Sequence, residues 1–340
     1  MEPTNTDRSS VKKMQVKGSE NSSLADEVRF ESAVSLAGRT WFGTGGSATL
    51  FCEPRSYEEC QRALAYAVQR DIEIFILGLG ANVLVSDDGF DGLVIHPRLD
   101  EIRFIGQEGC TAFVRVGAGV TMHQLIKACL AHNTVGLEEF GGIPASVGGA
   151  VRMNLHYFNA ALSDYVVGGT VMARATGQIQ EVDRAWFAFG YDDSRLAGGE
   201  YLLLDATLKL KKVSDLDIAY HSGRLAEIIR HRVARYPSTR TCGCFFRNFH
   251  EHEITHEVNG KKLPYVSYYL DKLGIKGELR VGGAMVSHQH ANMIVTSEGA
   301  TSGDVIKLAC MMQEMVQERF GMVPQTECQL IGFKEYPLMR

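Results

Sequence analysis

Two glycine clusters constrain what this 340-residue chain can become more than any other feature. They are Gly78-Leu79-Gly80-Ala81-Asn82 and Gly141-Gly142-Ile143-Pro144-Ala145-Ser146-Val147-Gly148-Gly149-Ala150. Each adjoins apolar, strand-like residues. Glycine permits positive φ and lets bare backbone N–H groups approach phosphate oxygens. One such cluster reads equally well as a strand-ending turn. Two of them, closing from opposite sides, suit a single pyrophosphate. The first is not a Rossmann fingerprint, because its third glycine is missing, and no Gly-Lys-Ser/Thr follows to make a Walker loop.

The flanking pattern alternates. Ser56 is placed to cap a helix running to Arg70, with Glu58 and Glu59 in its first turn. Short apolar runs at residues 72–77 and 92–96 read as strands, as do residues 113–116, and residues 121–132 read as a helix. Further strands are expected at residues 169–175, 178–182 and 201–210. The chain turns polar near residues 212–215. A connecting helix is expected over 216–235, another at 265–272, strands near Met285 and Ile294, and a long helix over 302–320. The resulting division is a disordered arm over residues 1–28 and three folded units at 29–100, 101–214 and 215–340.

Composition excludes several classes. A net charge of −5 argues against non-specific nucleic-acid binding. No apolar run approaches the ~20 residues of a membrane helix. Lys12, Lys13 and Lys17 precede no apolar block, so no secretory signal is expected and the cytoplasm is the default compartment. The eight cysteines are mostly scattered among apolar residues, as reduced core thiols are. Only Cys242 and Cys244 lie close together, without the partners of a zinc site, and no metal is expected. The expected partner is a small molecule.

The Cys244 segment, Thr241-Cys242-Gly243-Cys244-Phe245-Phe246-Arg247-Asn248, reads as a tight turn presenting a thiol beside a basic and an amide side chain. A late carboxylate, Glu327, is available to complete a site. A thiol, a carboxylate and a bound redox cofactor fit hydride chemistry coupled to proton transfer.

On these residues the chain resembles the UDP-N-acetylenolpyruvoylglucosamine reductase (MurB) family. Residues 77–95, LGLGANVLVSDDGFDGLVI, are similar to that family's first flavin loop, and residues 143–154, IPASVGGAVRMN, to its second. The turn from Gly243 resembles its Gly-Ser-x-Phe-Lys-Asn element. Residues 276–292, KGELRVGGAMVSHQHAN, and 327–332, ECQLIG, resemble its substrate domain. The resemblance implies an α+β chain with a two-subdomain FAD-binding fold of the vanillyl-alcohol-oxidase type and a C-terminal α+β substrate domain. It implies FAD held by Gly78, Leu79, Gly80, Ala81, Asn82, Val83, Gly142, Ile143, Pro144, Ser146, Gly148, Gly149 and Ala150. It further implies hydride transfer from NADPH through FAD to an enolpyruvyl sugar, giving UDP-N-acetylmuramate for peptidoglycan.

By the same resemblance, Cys244 stands where the family has a proton-donating serine, and Glu327 matches a glutamate that meets the substrate carboxylate. A thiol, with a reference pKa near ~8.5, is the stronger acid. Asn248 and Lys276 match contacts to the UDP diphosphate. Arg247 replaces a lysine, as a phosphate contact or a surface cation.

The chain departs from the family in three places. Asp192 stands in Gly190-Tyr191-Asp192-Asp193-Ser194 where the family carries an arginine that stabilises the enolate. Gln329 replaces a second arginine. In the run that matches the family's Met-Asn-Ala-Gly-Ala-Tyr, Leu155, His156 and Tyr157 place bulk where the family keeps small residues, and Phe158 stands at its tyrosine. Removing an oxyanion-stabilising donor costs about 2.7–4 kcal/mol. Two readings follow: the cell-wall reductase with Arg195 or another cation in place of the lost one, or a related flavoenzyme recruited to an amine-bearing metabolite with Asp192 as counter-ion.

Overall fold

The computed structural model describes residues 13–15 and 28–340. Its first sheet runs in the order Lys13–Gln15, Arg29–Ser35, Ser47–Cys52, Phe90–Ile95, Ile74–Ile76. The last three strands are mutually parallel, with helix α1 (Tyr57–Val68) in the crossover. Ser56 accepts from Glu59 N and caps the helix. Cys60, Ala63, Leu64 and Ala67 form the helix's buried stripe and pack on Cys52, Leu93 and Ile95. Most of the arm expected over residues 1–28 lies outside the described residues. At Lys13–Gln15 the expectation of disorder is corrected: this backbone pairs antiparallel with Arg29–Ser35, whose outer edge otherwise has no strand to take its N–H and C=O groups.

The second sheet is antiparallel, ordered Ile179–Asp183, Val166–Ala173, Tyr201–Lys212, Thr111–Gly117, Ile102–Glu108. Helix α2 (Met122–Ala131) starts with a capping box, Thr121 and Gln124 each taking the other's backbone N–H. It buries Leu125, Ile126 and Cys129 against Val114, Val116 and Leu208. Met172, Leu202 and Leu204 from this sheet enter the α1 core instead, so the two sheets share apolar surface. The second glycine cluster leads into the short helix α3 (Val147–Arg152), capped by Ser146.

Helix α4 (Asp215–Arg235) leads to the third unit. There α5 (Val266–Lys272), α6 (Ser302–Phe320) and the antiparallel strands Arg280–Val281, Ala284–Val286 and Ile294–Thr296 enclose a core of Phe245, Tyr269, Leu270, Ile294, Leu308 and Met312. Two of the contacts that bind this unit to the first bear on the site. Strand Gln329–Ile331 pairs in parallel with Val83–Val85, directly after the first glycine loop. The Asp87 carboxylate accepts from the backbone N–H of Ser302 and Gly303, both at 2.8 Å, at the start of α6. Among the strands not read from the sequence are Arg29–Ser35, Ser47–Cys52, Val83–Val85 and Ile102–Glu108. The last of these lies at a sheet edge with most of its residues exposed, so its apolar letters form no buried run.

Candidate active site

All three units contribute to one cavity of about 790 Å³, within the ~300–1,000 Å³ range of small-molecule sites. The two glycine loops meet on its wall: a Cβ at Gly78 would stand 2.6 Å from Ser146 Oγ. Gly80 holds φ +67°, and a Cβ there would collide with Arg39 O, so its bareness serves the backbone itself. Gly149 is different. A Cβ there would meet only Ser146 Oγ, at an ordinary 3.4 Å. Gly142 lies under α4, where its added Cβ would stand 3.1 Å from Arg232 Cδ. Leu79, Ala81, Val83, Ile143, Pro144, Gly148 and Ala150 line the same cavity. Asn82 Oδ1 is buried and unpartnered, as a residue awaiting a ligand donor would be.

Beside these loops stand Cys244 and Glu327. The Cys244 turn is held by buried Asn292: Phe246 N donates to its Oδ1 at 3.1 Å and its Nδ2 donates to Phe246 O at 2.7 Å. Glu327 is delivered by the returning chain, its N–H donating to Phe245 O at 2.9 Å while Asn82 Nδ2 donates to Glu327 O at 3.4 Å. Burial, then the nearby Asp192 charge, pushes the Glu327 carboxyl up to about 8. Burial, then the Glu327 charge, pushes the Cys244 thiol far above its usual value. Both groups therefore keep their protons at neutral pH.

Cations reach the cavity from positions the sequence left unmarked. Arg232 lies 4.1 Å over the Tyr157 ring, donates through Nε to Gly141 O at 3.2 Å, and leaves Nη2 buried without a partner. Its charge acts on Cys244. Arg152 also lines the wall; burial pulls both guanidinium groups down from their usual values. Leu225, Ile229 and Arg232, at i, i+4 and i+7 of α4, form one face against the second glycine loop. That spacing was the available signal. Arg195, expected as a possible substitute cation, stacks 5.0 Å over Trp186 and is not on the cavity wall.

The polar residues expected at the substrate divide. Asp192 and Asn248 line the cavity, and Asn248 Nδ2 donates to Tyr191 Oη at 2.9 Å. Arg247 does not line it: it forms a two-pronged pair with Glu253, at 2.8 and 2.7 Å. Lys276 pairs with Asp271 at 3.1 Å and is also off the lining.

The pattern of the FAD binding domain matches residues 48–183, and that of the UDP-N-acetylenolpyruvoylglucosamine reductase C-terminal domain matches residues 224–331. A UDP-N-acetylenolpyruvoylglucosamine reductase from Synechococcus sp. is 31% identical over 315 residues, spanning 92% of this chain and 94% of that one. The chain belongs to the UDP-N-acetylenolpyruvoylglucosamine reductase family. A second reductase, from Nostoc punctiforme, is 33% identical over 89% of this chain and 86% of its own. The crystal structure of the family's Thermus caldophilus enzyme superposes with a TM-score of 0.68 at 29% identity, covering 89% of this chain and 98% of that one. Membership in the reductase family accounts for the α+β architecture of FAD-binding and C-terminal units. Among the described residues no helix is long and apolar enough to cross a membrane, and no cluster of side chains suits a metal ion.

Proposed function

We propose that this chain is an FAD-dependent, NADPH-consuming reductase that converts UDP-N-acetylglucosamine enolpyruvate to UDP-N-acetylmuramate in the cytoplasm. The observation carrying this reading is that Cys244 and Glu327 share one cavity with both glycine loops, and burial favours the protonated form of each. Asn82, Ser146, Gly148 and Gly149 are the residues that would hold FAD. Bound FAD supplies hydride chemistry, with NADPH as the source.

The protein's own part is proton handling and charge. Hydride addition at the enolpyruvyl C3 places negative charge on C2 and the attached carboxylate. The Cys244 S–H delivers a proton to C2, and the thiolate left at Sγ is stabilised by Arg232. Glu327, neutral below about pH 8, donates through its carboxyl O–H to the substrate carboxylate rather than repelling it. Buried Asn292 and Asn82 hold these two groups in place.

The test is anaerobic and has two halves: purified holoenzyme is reduced with NADPH, then mixed with the UDP-enolpyruvyl sugar. Stoichiometric return of the oxidised flavin spectrum together with UDP-N-acetylmuramate formation is expected. A reduced flavin that the sugar leaves unchanged would remove this function.

A further inference from the structure

Arg232 is a cation without a counter-ion. Arg115, Arg224 and Arg247 each pair with a carboxylate. The groups whose charges reach Arg232 are instead the Tyr157 and Tyr236 phenols and the Cys244 thiol. Its contacts are neutral too. Nε donates to Gly141 O at 3.2 Å, the guanidinium lies 4.1 Å over the Tyr157 ring, and Nη2 is buried without a partner. A charge buried without compensation is costly, and a bound anion supplies the compensation.

Tyr157 carries a second unpartnered donor. Its Oη is buried and makes no hydrogen bond. Tyr236 stands beside it, and two phenols share at most one of their two protons, so an O–H is left for a ligand. The small hairpin His156–Tyr157/Ala160–Ala161 places the ring. Asn154 anchors that hairpin, donating through Nδ2 to Gly190 O at 2.8 Å and accepting the Ser163 N–H at 3.0 Å. Both Tyr157 and Arg232 line the cavity, and Tyr157 is one of the bulky residues by which the chain departs from its family.

We infer that Tyr157 and Arg232 form a two-donor clamp for a carboxylate, and that this clamp does the work of the arginine whose place Asp192 occupies. On the function proposed above, upon which this inference rests, the carboxylate is that of the enolpyruvyl group. That carboxylate is bonded to C2, the atom to which Cys244 delivers its proton, and the charge of Arg232 reaches Cys244. One carboxylate oxygen accepts from Arg232 Nη2 and Tyr157 Oη, and the other from Glu327. A cation over the phenol ring favours the phenol's anionic form and so makes its O–H the stronger donor.

Asp192 is the group in the cavity that opposes an anion. Its charge acts on Glu327 and on Cys244 but is not among those that reach Arg232. Burial also holds the Asp192 carboxyl above its usual value, which lowers the charge it presents. The clamp is thus the part of the wall where an anion meets a cation rather than a carboxylate.

The experiment is equilibrium binding to oxidised holoenzyme, read from the flavin spectrum, with two ligands. One is the UDP-enolpyruvyl sugar. The other is UDP-N-acetylglucosamine, which has the same diphosphate and no carboxylate. Tyr157→Phe keeps the ring under Arg232 and removes only the O–H. It is expected to weaken binding of the enolpyruvyl sugar about 10–100-fold and to leave binding of UDP-N-acetylglucosamine unchanged. Arg232→Met is expected to weaken the enolpyruvyl sugar about 10²–10³-fold. A residue that only packs would not sort the two ligands in this way. Because the Tyr157 hydroxyl has no partner in the sugar-free protein, Tyr157→Phe should melt no lower than its parent while it loses affinity.

A Tyr157→Phe variant that binds the enolpyruvyl sugar as its parent does overturns the inference and leaves the proposed function standing. Equal losses for the two ligands also overturn it, and assign the pair to the diphosphate. Loss of flavin from a Tyr157→Phe variant that keeps its melting temperature overturns it as well, and assigns the pair to FAD. A wild-type holoenzyme that neither binds the enolpyruvyl sugar nor is reoxidised by it removes the function and the inference together.

Discussion

Cys244 and Glu327 divide the proton work between a carbon acid's partner and a hydrogen-bond donor, and single substitutions separate them. Cys244→Ala is expected to slow reoxidation of the reduced flavin by the sugar on the order of 10²–10⁴-fold. Reduction by NADPH, which needs no proton at C2, should proceed nearly as before. Cys244→Ser restores much of the loss, because a hydroxyl also carries a transferable proton; rapid-mixing absorbance measures both half-reactions. Equal losses in the two halves would make Cys244 a structural residue. The glycines separate in the same way. Gly149→Val adds bulk where the chain itself leaves room, so it is expected to yield folded protein with less than a tenth of the parent's flavin absorbance (about tenfold loss per ~1.4 kcal/mol). Gly80→Val instead disturbs the backbone, through φ +67° and contact with Arg39 O, and should lower stability as well as flavin content.

Helices and strands carry these residues from distant parts of the chain, and α6 shows how. Its N-terminus takes a side-chain cap from Thr301 and a second anchor from Asp87 on the loop after Val83–Val85. The anchor ties the third unit to the first beside the strand pairing that precedes Asp87. Asp87→Ala removes a carboxylate from two backbone donors at a helix start, at a cost of about 1–2 kcal/mol. Urea denaturation of the apoprotein should show this as a lower midpoint with an unchanged slope. An unshifted midpoint would mean the Thr301 cap alone suffices. In α4, none of whose residues is buried, the face Leu225, Ile229, Arg232 is what fixes the second glycine loop. An exposed helix can thus still set the shape of a cavity.

Taken as a whole, the protein keeps a proton on a half-buried carboxyl well above the range where an unfolded chain would hold it. Glu327 moves from an ordinary 4.5 to about 8 in the folded protein. The folded state therefore binds a proton that the unfolded state releases. The associated stability is fully present below about pH 4.5, and it declines as pH rises until it is lost near pH 8. Glu327→Gln removes that dependence. Melting curves of the apoprotein should show the variant gaining on the parent at pH 8 and little difference at pH 4.5. Equal melting temperatures at both pH values would place Glu327 in contact with water.

Local rules carried the reading a long way. The Ser56 cap, the Thr121 start of α2 and the full extent of α6, Ser302–Phe320, follow from capping letters and apolar spacing, which act within a turn or two of helix. The glycine clusters and the turn around Cys244 were visible for the same reason: a backbone that must be bare or tightly turned leaves its mark in the letters themselves. Non-local pairing left no such mark. Nothing near residue 329 announces that Gln329–Ile331 will lie parallel to Val83–Val85, yet that pairing is what brings Glu327 to Asn82. Charges behaved likewise. Arg195, near Asp192 in sequence, stacks on Trp186, while Arg232 and His156 come to the cavity from a helix and a hairpin. Which arginine meets a ligand depends on the packing of whole units, because a charge settles wherever the folded chain offers a carboxylate, a ring face or an open wall.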